Sequence, residues 1–342
     1  MTRRLEIDAF LKRSGWGDSR RTALAGDASA RRYERLLNGS EKCLLVDVPP
    51  ESGLTITPYS AVTRWLLQQG FSAPEIIASE PETGLMLIED LGDDLLHRLC
   101  ADAPGMVSDL YAAAIDVLAD MHECDASGFD GEWSPPPYDM AVLMREVRLL
   151  VEWYLAAALE GGVSKDLADE YESLTSDLLV PLADDRSSVV YRDYHVENII
   201  WLPQREGRRR IGLIDFQDML IGHPAYDVVS LLDDVRRDVE PEVREAMTLR
   251  YIERRGLQHD DFLMAASTLS VQRNLKIMGL FTRLCRRDGK PRYLDLLPRT
   301  WNILMRNLEH PELRQLGDWM ERHVPAPDAK VRKRLAGDAR ET

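Results

Sequence analysis

From about residue 95 to residue 325 the apolar residues of this chain recur at helical spacing, with one interruption. Residues 198–202 (NIIWL) and 210–214 (RIGLI) read as two short strands around the polar turn 203–209, so a single β-hairpin is expected inside an otherwise helical half. This hairpin constrains the fold most, because its flanks are polar. Asp193 and Asn198 stand five positions apart directly before it, and Asp215 follows its second strand. Closing the hairpin brings these flanks together.

The first 90 residues have a different character. A short amphipathic helix over 5–14 precedes two strand-like runs, 30–37 and 43–48 (CLLVDV), joined by the turn signal Leu37-Asn38-Gly39-Ser40. Pro49-Pro50 ends the second run. A helix is expected over 57–69, capped by Thr57, with Pro58 in its first turn and Gly70 after its end. Residues 84–89 (GLMLIE) form a further strand, which makes a β-β-α-β unit. Helices are expected at 107–121, 140–154, 166–183, 226–236, 241–255, 259–286 and 297–308, and a loose polar tail from Pro325. With 342 residues and 44% hydrophobic content, the chain can build two domains or one large bilobal fold.

The flanks of the hairpin carry chemistry. The order D-x-x-x-x-N, hairpin, D-F is that of the protein-kinase catalytic loop and metal-binding aspartate. Phosphoryl transfer asks for a carboxylate at the acceptor hydroxyl and hard oxygen ligands for Mg²⁺. Asp193 can supply the first, Asn198 and Asp215 the second. The run Ile214-Asp215-Phe216-Gln217-Asp218 continues to Gly222-His223-Pro224-Ala225-Tyr226-Asp227. It resembles the aminoglycoside phosphotransferase-like family of small-molecule kinases, with H-G-D-x-x-x-x-N followed by I-D-x-x-D-x-x-x-G-D-P-x-x-D-L. Asp193, Asn198, Asp215, Asp218, Gly222, Pro224 and Asp227 match. Tyr191-Arg192 in place of His-Gly, and His223 in place of Asp, depart from it.

Within that family Tyr138-Asp139, Glu146, Trp153-Tyr154, the run RDYHVEN and Gln272-Arg273-Asn274-Leu275-Lys276 look like the bacterial N-acetylmuramate/N-acetylglucosamine anomeric kinases. The resemblance implies a protein-kinase-like bilobal α+β fold. Residues 1–90 would be a β-rich nucleotide-binding lobe, 91–324 a mainly helical catalytic and substrate lobe, and 325–342 a loose tail, with the hinge near 89–95. It also implies ATP and Mg²⁺ as cofactors and phosphorylation of an amino sugar at C1 during cell-wall sugar recycling. A nucleotidyltransferase would consume the sugar 1-phosphate. Asp227 reads as orienting the catalytic loop or helix ends without touching the substrate.

On the nucleotide side, the family places the adenine edge at the hinge, here Glu89 and Leu91. Gly26-Asp27-Ala28-Ser29-Ala30 is a candidate phosphate-covering turn, with Ser29 among its donors, because small residues let backbone N–H groups approach oxygens. No Walker motif occurs. The kinase lysine is missing: Val46 and Asp47 occupy its place, no lysine occurs between Lys42 and Lys165, and the 57–69 helix has no Glu or Asp to pair with one. Arg31 or Arg32, on the neighbouring strand, is expected to contact the phosphates instead, since guanidinium suits bidentate phosphate binding. On the acceptor side Glu146, Tyr194, His195, Gln217 and Asn274 are candidate sugar contacts. Trp153, Tyr154 and His122 read as core residues.

Composition narrows the alternatives. The net charge of −15 argues against nucleic-acid and membrane partners. No run approaches a membrane span and no apolar run follows the charged N-terminus. Cys43, Cys100, Cys124 and Cys285 form no metal or disulfide pattern. A cytoplasmic enzyme with reduced thiols is expected. Two other readings stay open. One is a kinase of a different acceptor of aminoglycoside, choline or homoserine type. The other is a nucleotide-binding pseudokinase regulator, favoured only by the missing lysine.

Overall fold

The computed structural model of the chain describes residues 2–24, 30–129, 131 and 133–337. Two compact units can be separated: Met1–Val117 with Cys124–Pro135 and Val196–Met219, and Leu118–Glu123 with Pro136–His195 and Leu220–Thr342.

In the first unit, helix α1 (Arg3–Arg13) leads into strands β1 (Arg20–Ala23), β2 (Arg32–Asn38) and β3 (Glu41–Asp47). Helix α2 (Thr57–Gln68) and strands β4 (Ile76–Glu80) and β5 (Leu85–Glu89) follow. The sheet is antiparallel with order β1-β2-β3-β5-β4. Alternate residues of its central strands, Leu36, Cys43, Leu45, Leu85 and Leu87, pack under Ile7, Phe10 and Leu11 of α1 and the following Trp16. Each such side chain contributes about 1.5–3 kcal/mol when fully buried. Gly84 opens β5 where a Cβ would stand 2.3 Å from the Val48 carbonyl oxygen, so only glycine allows the Val48 amide to reach the Gly84 carbonyl at 2.9 Å.

Two sequence expectations change here. Strands β1 and β4 were not expected. β1 reads RRTA and is largely exposed, and β4 reads IIASE and carries a register shift, as edge strands often do. Thr57 is not the cap of α2 but its first residue; Ile56 precedes it and gives no side-chain cap.

The second unit is organised by the helix His259–Asp288, 30 residues long and buried along most of its length. The helices Met140–Leu149, Ala225–Leu232 and Leu297–Leu308 pack around it. Gly279 of the long helix meets Leu149 so closely that a Cβ would lie 2.1 Å from the Leu149 carbonyl. Leu149 ends an α-helical stretch that continues as a π turn over Leu150–Leu155. The chain beyond Pro325 is not loose as far as residue 337. Helix Ala329–Ala336 is capped by Asp328 and buries Val331, Leu335 and Ala336. Tyr154 donates to the Pro325 carbonyl at 2.6 Å, Arg286 to that of Leu335 at 2.9 Å, and Arg334 pairs with Glu160 and the Ala158 carbonyl. Strands Ser188–Val190 and Leu220–Gly222, also unexpected, pair with each other. Among the described residues no helix is long and apolar enough to cross a membrane.

Candidate active site

The expected hairpin is present in the first unit as Ile199–Trp201 and Ile211–Leu213, in register Ile199↔Leu213 and Trp201↔Ile211. The ladder runs one step further, from the Ile214 amide to the Asn198 carbonyl at 3.2 Å. The two flanks are therefore side by side: Asn198 Nδ2 donates to Asp215 Oδ2 at 3.5 Å, and Gln217 Nε2 to Asp215 Oδ1 at 2.8 Å. Asp215 has a left-handed backbone, φ +63°, which turns the chain sharply after the strand. The hairpin is pinned by the Leu213 amide on the Ser72 carbonyl at 2.8 Å and by Phe216 against Tyr59, ring centroids 4.8 Å apart.

In the second unit the strand Ser188–Val190 delivers Tyr191 and Arg192 to the carboxylate of Asp227. Asp227 is wholly buried. It accepts from the Tyr191 amide at 2.6 Å, the Arg192 amide at 2.8 Å and His122 Nε2 at 3.2 Å. His122 is the satisfied core histidine expected from the sequence, because its Nδ1 in turn meets the Tyr251 hydroxyl at 2.7 Å. Burial lowers its pKa, against the pull of Asp227. A neutral ring with its proton on Nε2 serves both neighbours.

The Arg192 side chain reaches Glu146, Nη2 to Oε1 at 2.6 Å, and Lys276 Nζ meets the same oxygen at 2.9 Å. Tyr138 donates to Glu146 Oε2 at 2.5 Å and Gln272 at 3.0 Å. Burial alone would raise the Glu146 carboxyl, but Lys276, Arg192 and the two hydrogen bonds hold it down at about 2. The Asp193 charge helps keep Arg192 and Lys276 protonated. Sequence reasoning met Arg192, Gln272 and Lys276 in its motifs but gave them no role in the site. The i, i+4 spacing of Gln272 and Lys276 put both on one helix face and was the available signal. Asn274 lies on another face of that helix, donating to the Ser270 carbonyl at 2.7 Å, and the structure does not bring it to Glu146.

At the end of β5, the Glu89 side chain pairs with Arg205 at 2.6 Å and its amide donates to the Glu75 carbonyl at 2.8 Å. The turn that follows is clasped from β2. Arg35 holds Asp90 at 2.7 and 3.1 Å and Asp93 at 2.9 Å, and Asp90 accepts from the Gly92 amide at 3.0 Å. The Leu91 side chain lies over Gly212 of the hairpin, where a Cβ would come within 3.1 Å of it.

Where a kinase lysine would stand, Val46 is buried and Asp47 is bound by Arg3 of α1 at 2.6 and 3.0 Å. The two arginine candidates diverge. The Arg32 side chain is 69% exposed and only 4.0 Å from Asp47. The Arg31 charge is felt at Tyr33, whose hydroxyl is pushed up to about 12 by burial and the Asp215 charge against it. Arg31, Arg32 and Tyr33 line a cleft of about 620 Å³. Ser29 and most of its turn lie outside the described residues. Of the remaining acceptor candidates, Tyr194 is wholly buried edge-on to Tyr191, and His195 is 5% exposed. Gln217 is buried, and its Oε1 has no hydrogen-bond partner among the described residues.

A small antiparallel sheet, a mainly helical remainder, and a D-x-x-x-x-N loop before a hairpin and aspartate define a protein-kinase-like fold. Solved structures agree. The chain is similar to an aminoglycoside phosphotransferase-like protein from Ralstonia eutropha (TM-score 0.61, 16% identity, 93% of this chain and 98% of that one). It is equally similar to a choline kinase from Streptococcus pneumoniae (TM-score 0.61, 14% identity, 91% and 99%). The phosphotransferase enzyme family model matches residues 20–263, and the chain belongs to that family. N-acetylmuramate/N-acetylglucosamine kinases from Caulobacter vibrioides (38% identity, 93% of this chain and 95% of the relative) and Pseudomonas aeruginosa (35%, 89% of each) are among its relatives.

Proposed function

We propose that this phosphotransferase moves the γ-phosphoryl group of ATP, with Mg²⁺, to the anomeric C1 hydroxyl of N-acetylmuramate or N-acetylglucosamine. The observation that carries the reading is the likeness, at 35–38% identity over about nine-tenths of the chain, to relatives that bear that name. Asp193 is the base that accepts the hydroxyl proton. A hemiacetal hydroxyl is more acidic than an ordinary alcohol, so an ordinary carboxylate suffices.

Asn198 and Asp215 are the metal ligands. Asn198 and Asp215 stand side by side, Nδ2 to Oδ2 at 3.5 Å, and the Asn198 Oδ1 and the Asp215 carboxylate are hard oxygen donors of the kind Mg²⁺ takes alongside water and phosphate oxygens. The metal would neutralise charge on the transferring phosphates. Glu89 and Leu91 meet the adenine edge, and Arg31 serves the phosphates in place of the lysine. Gln217, with an open acceptor, and His195 are the leading sugar contacts, with Tyr194 and Asn274 as further candidates. Residues 1–90 carry the nucleotide side and 91–324 the catalytic side. The product, a sugar 1-phosphate, would suit a nucleotidyltransferase, and the enzyme is cytoplasmic.

The test is phosphorus NMR of the protein with ATP, Mg²⁺ and, separately, N-acetylmuramate, N-acetylglucosamine, kanamycin and choline. A sugar 1-phosphate doublet is expected, with Asp193→Asn slowing its formation by about 10²–10⁴-fold. Product from kanamycin or choline and none from either sugar refutes the acceptor. Near-full activity of Asp193→Asn removes Asp193 from its role.

A further inference from the structure

Arg192 is, with Asp215, a non-glycine residue with a left-handed backbone, φ +79°. An L side chain there crowds the neighbouring carbonyl, and glycine takes the conformation freely. Such a residue persists only where its surroundings hold it. One hold is on the backbone, the Asp227 carboxylate on the Arg192 amide at 2.8 Å. The other is on the side chain, Glu146 Oε1 on Nη2 at 2.6 Å.

Glu146 is only 4% exposed, and a lone buried carboxylate would be costly. Lys276 supplies a counter-charge at 2.9 Å on Oε1, while Tyr138 at 2.5 Å and Gln272 at 3.0 Å fill Oε2. Each oxygen thus meets two donors, and a carboxylate offers about four acceptor sites in all. Little capacity is left for a sugar hydroxyl. The next residue after Arg192 is Asp193, so whatever fixes the backbone at 192 also fixes the direction in which the Asp193 carboxylate leaves the chain.

We propose that Glu146, counter-charged by Lys276, is a positioning residue: it holds Arg192 in its left-handed conformation, thereby aims Asp193, and does not touch the acceptor. This rests on the reading of Asp193 as the base in the reaction proposed above.

The test is a double-mutant cycle in Glu146 and Arg192. Arg192→Gly removes the guanidinium and tolerates the same φ without strain. Glu146→Gln in the wild-type background is expected to lower kcat about tenfold or more, with the sugar KM within about twofold. In the Arg192→Gly background the same change should cost less than about threefold. An equal loss in both backgrounds, or a loss confined to the sugar KM, overturns the proposal and makes Glu146 a sugar contact. Should Glu146→Gln fail to fold, Glu146→Asp, which keeps the charge and shortens the reach, is read the same way. Wild-type enzyme is the control for the reaction itself. If it phosphorylates neither sugar, that reading fails separately. The hold is then read from thermal unfolding, where Glu146→Gln must lower Tm more in the wild-type background than in Arg192→Gly. Equal drops overturn the hold.

Discussion

Replacing Asp227 with asparagine changes one atom and disturbs three hydrogen bonds. The carboxylate is wholly buried; Oδ1 serves the Arg192 amide and Oδ2 serves the Tyr191 amide and His122. Asparagine keeps one acceptor. Whichever way its amide points, an NH₂ group faces a backbone N–H that has lost its partner. An orphaned buried donor costs about 1–3 kcal/mol, and turning the surviving bond from charged to neutral costs about 1 kcal/mol more. The expected destabilisation is therefore about 2–4 kcal/mol. His122 can soften this only on the Oδ2 side, by changing tautomer, since the Tyr251 hydroxyl can accept as well as donate. Asp227→Ala orphans both amides and must be worse. Urea unfolding of wild type and both variants at neutral pH measures the costs, and kcat measures the effect on the loop that carries Asp193. A cost below about 1 kcal/mol for Asp227→Asn, or equal costs for the two variants, refutes the argument that Asp227 frames the loop through both amides.

Three further outcomes can be checked. Gly279→Ala drives a methyl group to 2.1 Å from the Leu149 carbonyl, so the two helices must part; a loss of about 1–3 kcal/mol or more is expected in thermal unfolding, and an unchanged Tm contradicts the close approach. His122 is held below its ordinary value of 6.5 by burial, so the unfolded chain binds that proton first as pH falls. Its contribution to stability is complete above pH 6.5 and is lost below it; His122→Gln should flatten the unfolding midpoint between pH 7.5 and about 5, and an unaltered slope contradicts this. Arg31→Ala should raise the apparent KM for ATP about tenfold and Arg32→Ala less than about twofold, and the reverse order would remove Arg31 from the phosphates.

What could be read from the chain was local. The runs CLLVDV and GLMLIE announce β3 and β5 because both are apolar and buried, whereas β1, with two arginines in four residues, carries no such pattern. Asn198 and Asp215 were found because a hairpin turns a sequence interval into a distance. The Glu146 cluster showed in the sequence only as a likeness and not as a set of contacts, because its members Tyr138, Glu146, Arg192, Gln272 and Lys276 are scattered over more than a hundred positions and meet only through the packing of the long helix. Helix Ala329–Ala336 was hidden for a related reason. Its sequence, AKVRKRLA, is half charge, and the two aliphatic residues that anchor it, Val331 and Leu335, matter only because Arg286 and Tyr154 stand ready to receive that segment.

The π turn at Leu150–Leu155 has a consequence for chain length. A π turn holds one residue more than the α-helix would use. Deleting a single residue from it would restore regular geometry and leave the flanking helical segments in nearly the same register, whereas deleting one from the regular helix between Glu146 and Leu149 would rotate everything beyond by about 100° relative to Glu146. Tyr154 would then swing away from the Pro325 carbonyl, and Ala158 and Glu160 would leave Arg334 without its seat. The regular helix between Glu146 and Leu149 is thus counted to the residue, and the π turn is where one residue can be given up. Single-residue length changes in relatives should fall in the π turn, which absorbs one, or in the open turn around Gly161 and Gly162, and a residue lost from the regular helix before it should cost the docked terminal helix.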